Sequence, residues 1–216
     1  MRLLELFSGT CSVSKEAERR GYEVRNIDIV GNPTYKQDIL TWDYKTDLGD
    51  WKPDIIWASF PCEEFSPMKR VGHRTRDLEK GRSLMLRALE IIEEIKPKVF
   101  ILENPVGLAR HQPELKALPF RHTVTYCHYG RDYKKPTDLF CNIPLNLKYC
   151  KRDCGKIVPG TRSHIGRIGF GKRVNGAAPS LVNTNGHGVN VTATKSIQSI
   201  PTSLISSILD QIQGNS

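Results

Sequence analysis

Pro53-Asp54-Ile55-Ile56-Trp57-Ala58-Ser59-Phe60-Pro61-Cys62-Glu63-Glu64-Phe65-Ser66 decides how the chain is read. Its first half is a nearly unbroken apolar run behind a proline, the pattern of a strand buried on both faces of a parallel sheet. Cys62 then falls just past the strand's carboxyl end, where open α/β sheets bind their ligands. Pro61 restricts the turn before the thiol, and two carboxylates and a basic, helix-prone stretch follow, an arrangement able to hold a nucleophile in a cleft. A cysteine taken alone is more often a small buried hydrophobe. The flanking elements must therefore decide.

Towards the amino terminus, Arg2 to Phe7 reads as a first strand, Ser8-Gly9-Thr10-Cys11-Ser12 as a tight loop, and Val13 to Arg20 as a helix ended by Gly21. This is the opening of a Rossmann-like nucleotide fold, in which glycine lets the backbone approach a cofactor and the helix amino terminus faces it. The loop lacks a full G-x-G-x-x-G pattern. A second strand at Glu23 to Ile29 places Asp28 near its end, roughly 20 residues past the loop, a position suited to ribose hydroxyls. Gln37-Asp38-Ile39-Leu40, taken as the third strand, carries another carboxylate beside an apolar pair, suited to an exocyclic amine.

Towards the carboxyl terminus, Met68 to Lys80 is polar and basic, with Lys69, Arg70, His73, Arg74 and Arg76, and reads as a loop near the site that closes on phosphates. Gly81 to Lys96 has the apolar spacing of a core-facing helix. Val99 to Leu102 is a fifth strand that delivers Glu103-Asn104-Pro105, so Cys62 and Glu103 should share one rim of the sheet. Thr123 to Tyr129 and Leu139 to Asn142 should pair across a basic turn. In the last helix Leu204, Ile205, Ile208, Leu209 and Ile212 form a buried stripe.

Length and composition bound the rest. A chain of 216 residues is enough for one α/β domain and a small appendage. Its net charge of +9 and pI near 9.3 favour a polyanionic partner, most simply nucleic acid. With no apolar run approaching the ~20 residues of a membrane span and no signal peptide, a soluble, intracellular protein is expected, with reduced cysteines and a monomeric state. From about 146 to 195, Lys148, Lys151, Arg152, Lys156, Arg162, Arg167, Lys172 and Arg173 face only Asp153, which marks a loop-rich nucleic-acid surface. Cys150-x-x-x-Cys154, with Cys141 and His128 nearby in sequence, suggests a small zinc site, but the spacing is wider than C-x-x-C. Reduced thiols without metal are the expectation.

Leu6-Phe7-Ser8-Gly9, Pro61-Cys62 with Phe65-Ser66, and Glu103-Asn104, in this order, resemble the motifs of the DNA (cytosine-5)-methyltransferase family, particularly its short phage and large-DNA-virus members. The resemblance covers roughly residues 3–145 and 197–212. It implies an α/β, Rossmann-like S-adenosylmethionine-dependent methyltransferase fold: a mostly parallel sheet with helices on both faces and a small loop-rich basic appendage. A catalytic domain would span 1–145, a reduced target-recognition segment 146–195, and a helix packing back on the catalytic domain 196–216. It also implies S-adenosylmethionine against Phe7, Ser8, Gly9, Thr10, Cys11, Ser12, Asp28, Asp38, Ile39 and Pro61, with Phe7 against the adenine. Cys62 would attack C6 of cytosine in DNA and Glu103 would bond N3. Pro61, Glu64, Phe65, Ser66, Lys69, Arg70, Arg74, Asn104 and Thr137 would contact the substrate.

The chain departs from the family pattern at three places. Cys11 replaces a glycine usual in the first loop, and Tyr133-Lys134-Lys135-Pro136-Thr137 stands where the family has Q-x-R-x-R, which leaves Lys135 as the substitute for the catalytic arginine. The long recognition domain is reduced to 146–195, so short or relaxed specificity is expected. The alternatives are RNA (tRNA) cytosine-5 methylation with the same residues, a folate-dependent thymidylate-synthase-like methylase, and a catalytically degenerate member that binds DNA.

Overall fold

The computed structural model describes residues 1–66, 75–168, 181–183 and 199–214. Seven strands, β1 (Arg2–Leu6), β2 (Glu23–Asp28), β3 (Tyr35–Lys36), β4 (Ile55–Ala58), β5 (Val99–Pro105), β6 (Phe120–Thr125) and β7 (Pro136–Cys141), form one sheet in the order β3-β2-β1-β4-β5-β7-β6. The first five are mutually parallel, and β7 runs antiparallel to both β5 and β6. After β1 the chain builds outward through β2 and β3, then returns to the other side of β1 with β4. That reversal opens the crevice at the carboxyl ends of β1 and β4.

The sheet is covered on both faces because successive side chains of a strand point to opposite sides. Leu3, Ile55, Trp57, Ile101, Leu139 and Cys141 face one core, which they share with Val13 and Ala17 of α1 (Ser12–Arg19). Leu4, Leu6, Ile56, Ala58, Leu102 and Phe140 face the other, with Tyr44 and Leu48 of α2 (Tyr44–Leu48) and Met85, Ala88, Ile91 and Ile92 of α3 (Leu78–Ile95). Leu115 of the short α4 (Pro113–Lys116) joins this second core. The stripe predicted for the last helix is buried in the first core as α5 (Thr202–Gly214). There α5 lies on α1, where Ser206 Oγ donates to Glu16 (2.7 Å) and Arg20 bridges Asp210 (2.6 Å). A separate antiparallel pair, β8 (Gly166–Ile168) and β9 (Leu181–Asn183), lies in the basic segment.

Several boundaries differ from the sequence reading. The strand expected over Thr123–Tyr129 is β6 at Phe120–Thr125, and Tyr126–Tyr129 is a 3-10 turn. The third strand is Tyr35–Lys36; Gln37–Leu40 instead forms a turn, in which Asp38 accepts from Leu40 N through Oδ1 (3.0 Å) and from Thr41 N through its carbonyl (3.1 Å). Helix α3 begins at Leu78 because Asp77 caps it, accepting from Lys80 N (2.9 Å). Gly81 is therefore not a helix start but an interior residue, and a Cβ there would lie 2.8 Å from Glu64 Cβ. The residue is glycine so that α3 can approach the turn after Cys62. Among the described residues, no helix is long and apolar enough to cross a membrane.

Candidate active site

The loop after β1 is built from unusual backbone. Phe7, Gly9 and Cys11 all have positive φ (60°, 45° and 53°), and Cys11 N donates to Ser8 O at 2.6 Å. The left-handed conformation at Cys11 is what makes glycine the natural residue there. Asp28 ties the loop to β2, accepting from Gly9 N through Oδ2 (2.7 Å) and from Val30 N through Oδ1 (2.9 Å), and each oxygen keeps a further lone pair. Helix α1 begins here with no acidic residue in its first turn. Its first-turn N–H groups at Val13 and Ser14 are instead taken by a carboxylate from β1, Glu5.

Exposed apolar side chains flank this loop: Ile29, Val30 and Leu40 are 65%, 56% and 43% accessible, while Ile39 is buried. The lining suits S-adenosylmethionine: Asp28 has free acceptor capacity for ribose hydroxyls, and the apolar surface suits an adenine. Ser8 is buried and Thr10 half-buried, with its carbonyl accepting from Lys15 Nζ (3.2 Å).

Beneath the loop lies a carboxylate that sequence reading missed. Glu5 of β1 is buried and accepts from Ser14 N (2.9 Å) and from Ser14 Oγ, which in turn accepts from Asn26 Nδ2 (2.9 Å). Burial pushes the Glu5 carboxyl up to about 7, against the pull of its bonds from Ser14. A lone carboxylate in an apolar strand gives no signal of such a partner.

One strand further across, Asn104 Nδ2 donates to Phe60 O (2.9 Å) and so fastens the turn that carries Pro61 and Cys62. Phe65 N and Ser66 N donate back to Cys62 O (3.1 and 2.8 Å). Pro61 is exposed and Cys62 half-buried at the end of β4. Burial raises the Cys62 thiol above its ordinary value, the Lys135 charge opposes that rise, and Glu103 and Glu63 add to it.

Glu103, at the matching end of β5, is buried, and burial raises its carboxyl as well. Lys135 again pulls downward, as do hydroxyl bonds from Tyr126 (2.9 Å) and Ser59. Trp57 Nε1 supports Ser59 Oγ at 3.1 Å. Lys135 Nζ stands 4.8 Å from the centre of the Tyr126 ring, and the Thr137 hydroxyl bonds that of Tyr126. The structure thus brings Cys62, Glu103 and Lys135 into one electrostatic unit, supported by Ser59 and Tyr126. Neither hydroxyl stood out in the sequence, since uncharged residues in strand-like runs leave no pattern.

Other expected contacts are placed differently. Glu64 is buried with Oε2 accepting from Asp77 N (2.7 Å), which fixes the start of α3. Phe65 is fully buried, edge-on to Phe60 at 5.7 Å between ring centres. Both side chains are engaged inside the fold, Glu64 at the start of α3 and Phe65 against Phe60. Thr137 is fully buried behind Glu103, paired opposite Pro105 in the β5–β7 register, and so supports the site from within. Ser66 is half-buried and its carbonyl accepts from Arg76 (2.8 Å). Lys69, Arg70 and Arg74 lie outside the described residues.

Residues 1–133 match the model of the C-5 cytosine-specific DNA methylase family. The chain is 40% identical over 155 residues to a Frog virus 3 protein named "Probable DNA (cytosine-5)-methyltransferase", covering 66% of this chain and 71% of that one. It is 26% identical over 161 residues to the orphan methyltransferase M.SPRI of Bacillus phage SPR, covering 68% of this chain but only 36% of that one. The solved structure of the Entamoeba histolytica methyltransferase EhMeth shares the fold, with a TM-score of 0.51 at 15% identity over 70% of this chain and 57% of that one.

Proposed function

The chain belongs to the C-5 cytosine-specific DNA methylase family, and from that premise we propose that it transfers a methyl group from S-adenosylmethionine to C5 of cytosine in DNA through a covalent adduct between Cys62 and C6. The observation that carries the proposal is the placement of a half-buried thiol and a buried carboxyl at the ends of the adjacent parallel strands β4 and β5, both within the field of Lys135.

Cytosine C5 is a poor nucleophile until a thiolate adds at C6 and breaks the ring's conjugation. Cys62 makes that bond, helped by the Lys135 charge. The Glu103 carboxyl, raised by burial and therefore able to hold a proton, donates to N3 and stabilises the electron pair displaced into the ring. The activated C5 then takes the methyl carbon. Bound at the β1–α1 loop, S-adenosylmethionine supplies that methyl on a positively charged sulfur, which leaves as a neutral thioether. Loss of the C5 proton to water re-forms the double bond and expels Cys62. Asn104 acts by holding the Phe60 carbonyl, and hence the Pro61-Cys62 turn, in place.

C6 is inaccessible within a stacked duplex, so the target base must leave the stack or come from a single strand. We assign residues 146–195 to holding the nucleic acid, in place of a full recognition domain, and 1–145 with the returning 196–216 to catalysis.

Nucleoside mass spectrometry on DNA and RNA from cells devoid of 5-methylcytosine in DNA, expressing either this chain or Cys62→Ala, tests the proposal. The expected result is 5-methyldeoxycytidine that disappears with Cys62→Ala. Methylation confined to RNA would overturn the DNA assignment, and no product from folded protein would leave a nucleic-acid-binding protein without turnover.

A further inference from the structure

Three of the six cysteines gather away from the catalytic rim. Cys127, in the 3-10 turn Tyr126–Tyr129 after β6, meets Cys150 and Cys154 from the following loop and His164 from the basic segment. The three sulfurs and a ring nitrogen of His164 all lie within 4.8 Å of one another, and Cys150 Sγ to His164 Nε2 is 3.5 Å. Tetrahedral zinc with bonds of about 2.3 Å to sulfur and 2.0 Å to nitrogen separates its ligand atoms by about 3.5–3.8 Å. Cys127, Cys150 and His164 are buried.

We propose that Cys127, Cys150, Cys154 and His164 bind a structural zinc ion that clips the start of the basic segment to the catalytic domain.

The backbone around each ligand is arranged for it. Cys150 N donates to Thr125 Oγ1 (2.7 Å), which fixes the loop against the end of β6. Arg152, in the left-handed conformation at φ 79°, turns its N–H back onto Cys150 Sγ at 3.2 Å, a bond that a metal-bound thiolate accepts well. Residues 156–165 then double back, with Ile165 N bonding Lys156 O (2.9 Å) and Val158 N bonding Ser163 O (2.9 Å), and return His164 to the thiols. A soft set of three thiolates and one imidazole with all four positions filled selects zinc in a closed, structural site. Its one net negative charge sits beside Lys134, whose Nζ donates to the Cys150 carbonyl (3.2 Å).

A second grouping, His128, Cys150 and Asp153, competes for the same sulfur. There His128 Nε2 and Asp153 Oδ1 are already paired at 3.0 Å. Cys141, the other cysteine suggested by sequence proximity, is spent elsewhere: its Sγ donates to Ile143 O (3.1 Å) inside the sheet core. The backbone links the site to the catalytic rim, since Cys127 follows Tyr126, the donor to Glu103. Its existence does not depend on methyl transfer.

The test is elemental analysis of the purified full chain, prepared without chelators, followed by cobalt substitution. Expected are about one zinc per chain and, with cobalt, the visible bands of a tetrahedral thiolate site. His164→Ala and Cys154→Ser should lose the metal, His164→Cys should keep it, and His128→Ala and Cys141→Ser should keep it as well. Folded wild-type protein with less than about a tenth of an equivalent of zinc, a disulfide among the three cysteines in freshly alkylated protein, or full zinc in both His164→Ala and Cys154→Ser would overturn the proposal. If chelation of the wild-type protein leaves the 150–165 stretch as resistant to protease as before, the clip role fails even with zinc bound.

Discussion

At the scale of single residues, the site is governed by one cation whose charge opposes the effect of burial on two acids. Lys135 lowers both the Cys62 thiol and the Glu103 carboxyl, each raised first by burial. Removing the charge must therefore raise both together. For Lys135→Met the acid limb of the pH profile for methyl transfer should move to higher pH. The alkaline limb should move the same way, because the reaction needs Cys62 as the thiolate and Glu103 protonated and the apparent values belong to the coupled pair. Lys135→Arg should restore the wild-type profile. A loss of rate at every pH with both limbs fixed would show that Lys135 places the substrate and does not tune the pair. That Cys62 and Glu103 would share a rim was legible in the sequence because a proline and strand ends mark them, whereas Lys135 was reached only through the resemblance. Ser59, Tyr126 and the supporting role of Thr137 were not legible, since a hydroxyl becomes a donor only when folding brings an acceptor to it.

At the scale of elements, β1, α1 and β2 are joined under the β1–α1 loop by Glu5, Ser14 and Asn26. The Glu5 carboxyl is raised from 4.5 to about 7 in the folded protein, so the folded state binds its proton more tightly than the unfolded chain does. Its contribution is complete below pH 4.5 and is lost as pH rises to 7, a change of about 3 kcal/mol at roughly 1.4 kcal/mol per pH unit. Glu16 behaves oppositely. Held near 2 first by its bond from Arg19, it loses stabilisation only as pH falls below its ordinary value of 4.5. Glu5→Gln should thus match the wild type near pH 4.5 and exceed it above pH 7, as read by thermal unfolding at each pH. Parallel curves for the two proteins would refute the assignment. Most elements here were legible, because strands buried on both faces read as continuous apolar runs and α5 as a clean stripe. The exceptions have local causes: a two-residue β3 leaves no pattern, and Gly81 reads as a helix boundary although the close approach of Glu64 demands it inside α3.

At the scale of the molecule, charge and architecture divide the labour. The excess of positive charge is concentrated after residue 146, and the start of that segment is fixed to the sheet: Thr125 N bonds Lys148 O (3.3 Å) and Lys148 N bonds Tyr129 Oη (2.9 Å). A sequence can reveal that such a segment is basic but not that it is pinned, because the anchors come from β6 and from cysteines far apart in the chain. With their backbone held, Lys148 and Lys151 line an open recess of about 540 Å³ together with His128, Tyr149 and Asp153. If these lysines meet phosphates, each releases counterions from DNA and adds about 0.9 to the slope of log affinity against log salt. Lys148→Gln with Lys151→Gln should then reduce that slope by about 2 and weaken binding to all sequences alike, as phosphate contacts carry no base information. Binding titrations across a salt series on two unrelated duplexes measure both effects. An unchanged slope would remove these lysines from the DNA surface, and a loss confined to one duplex would make them readers of bases.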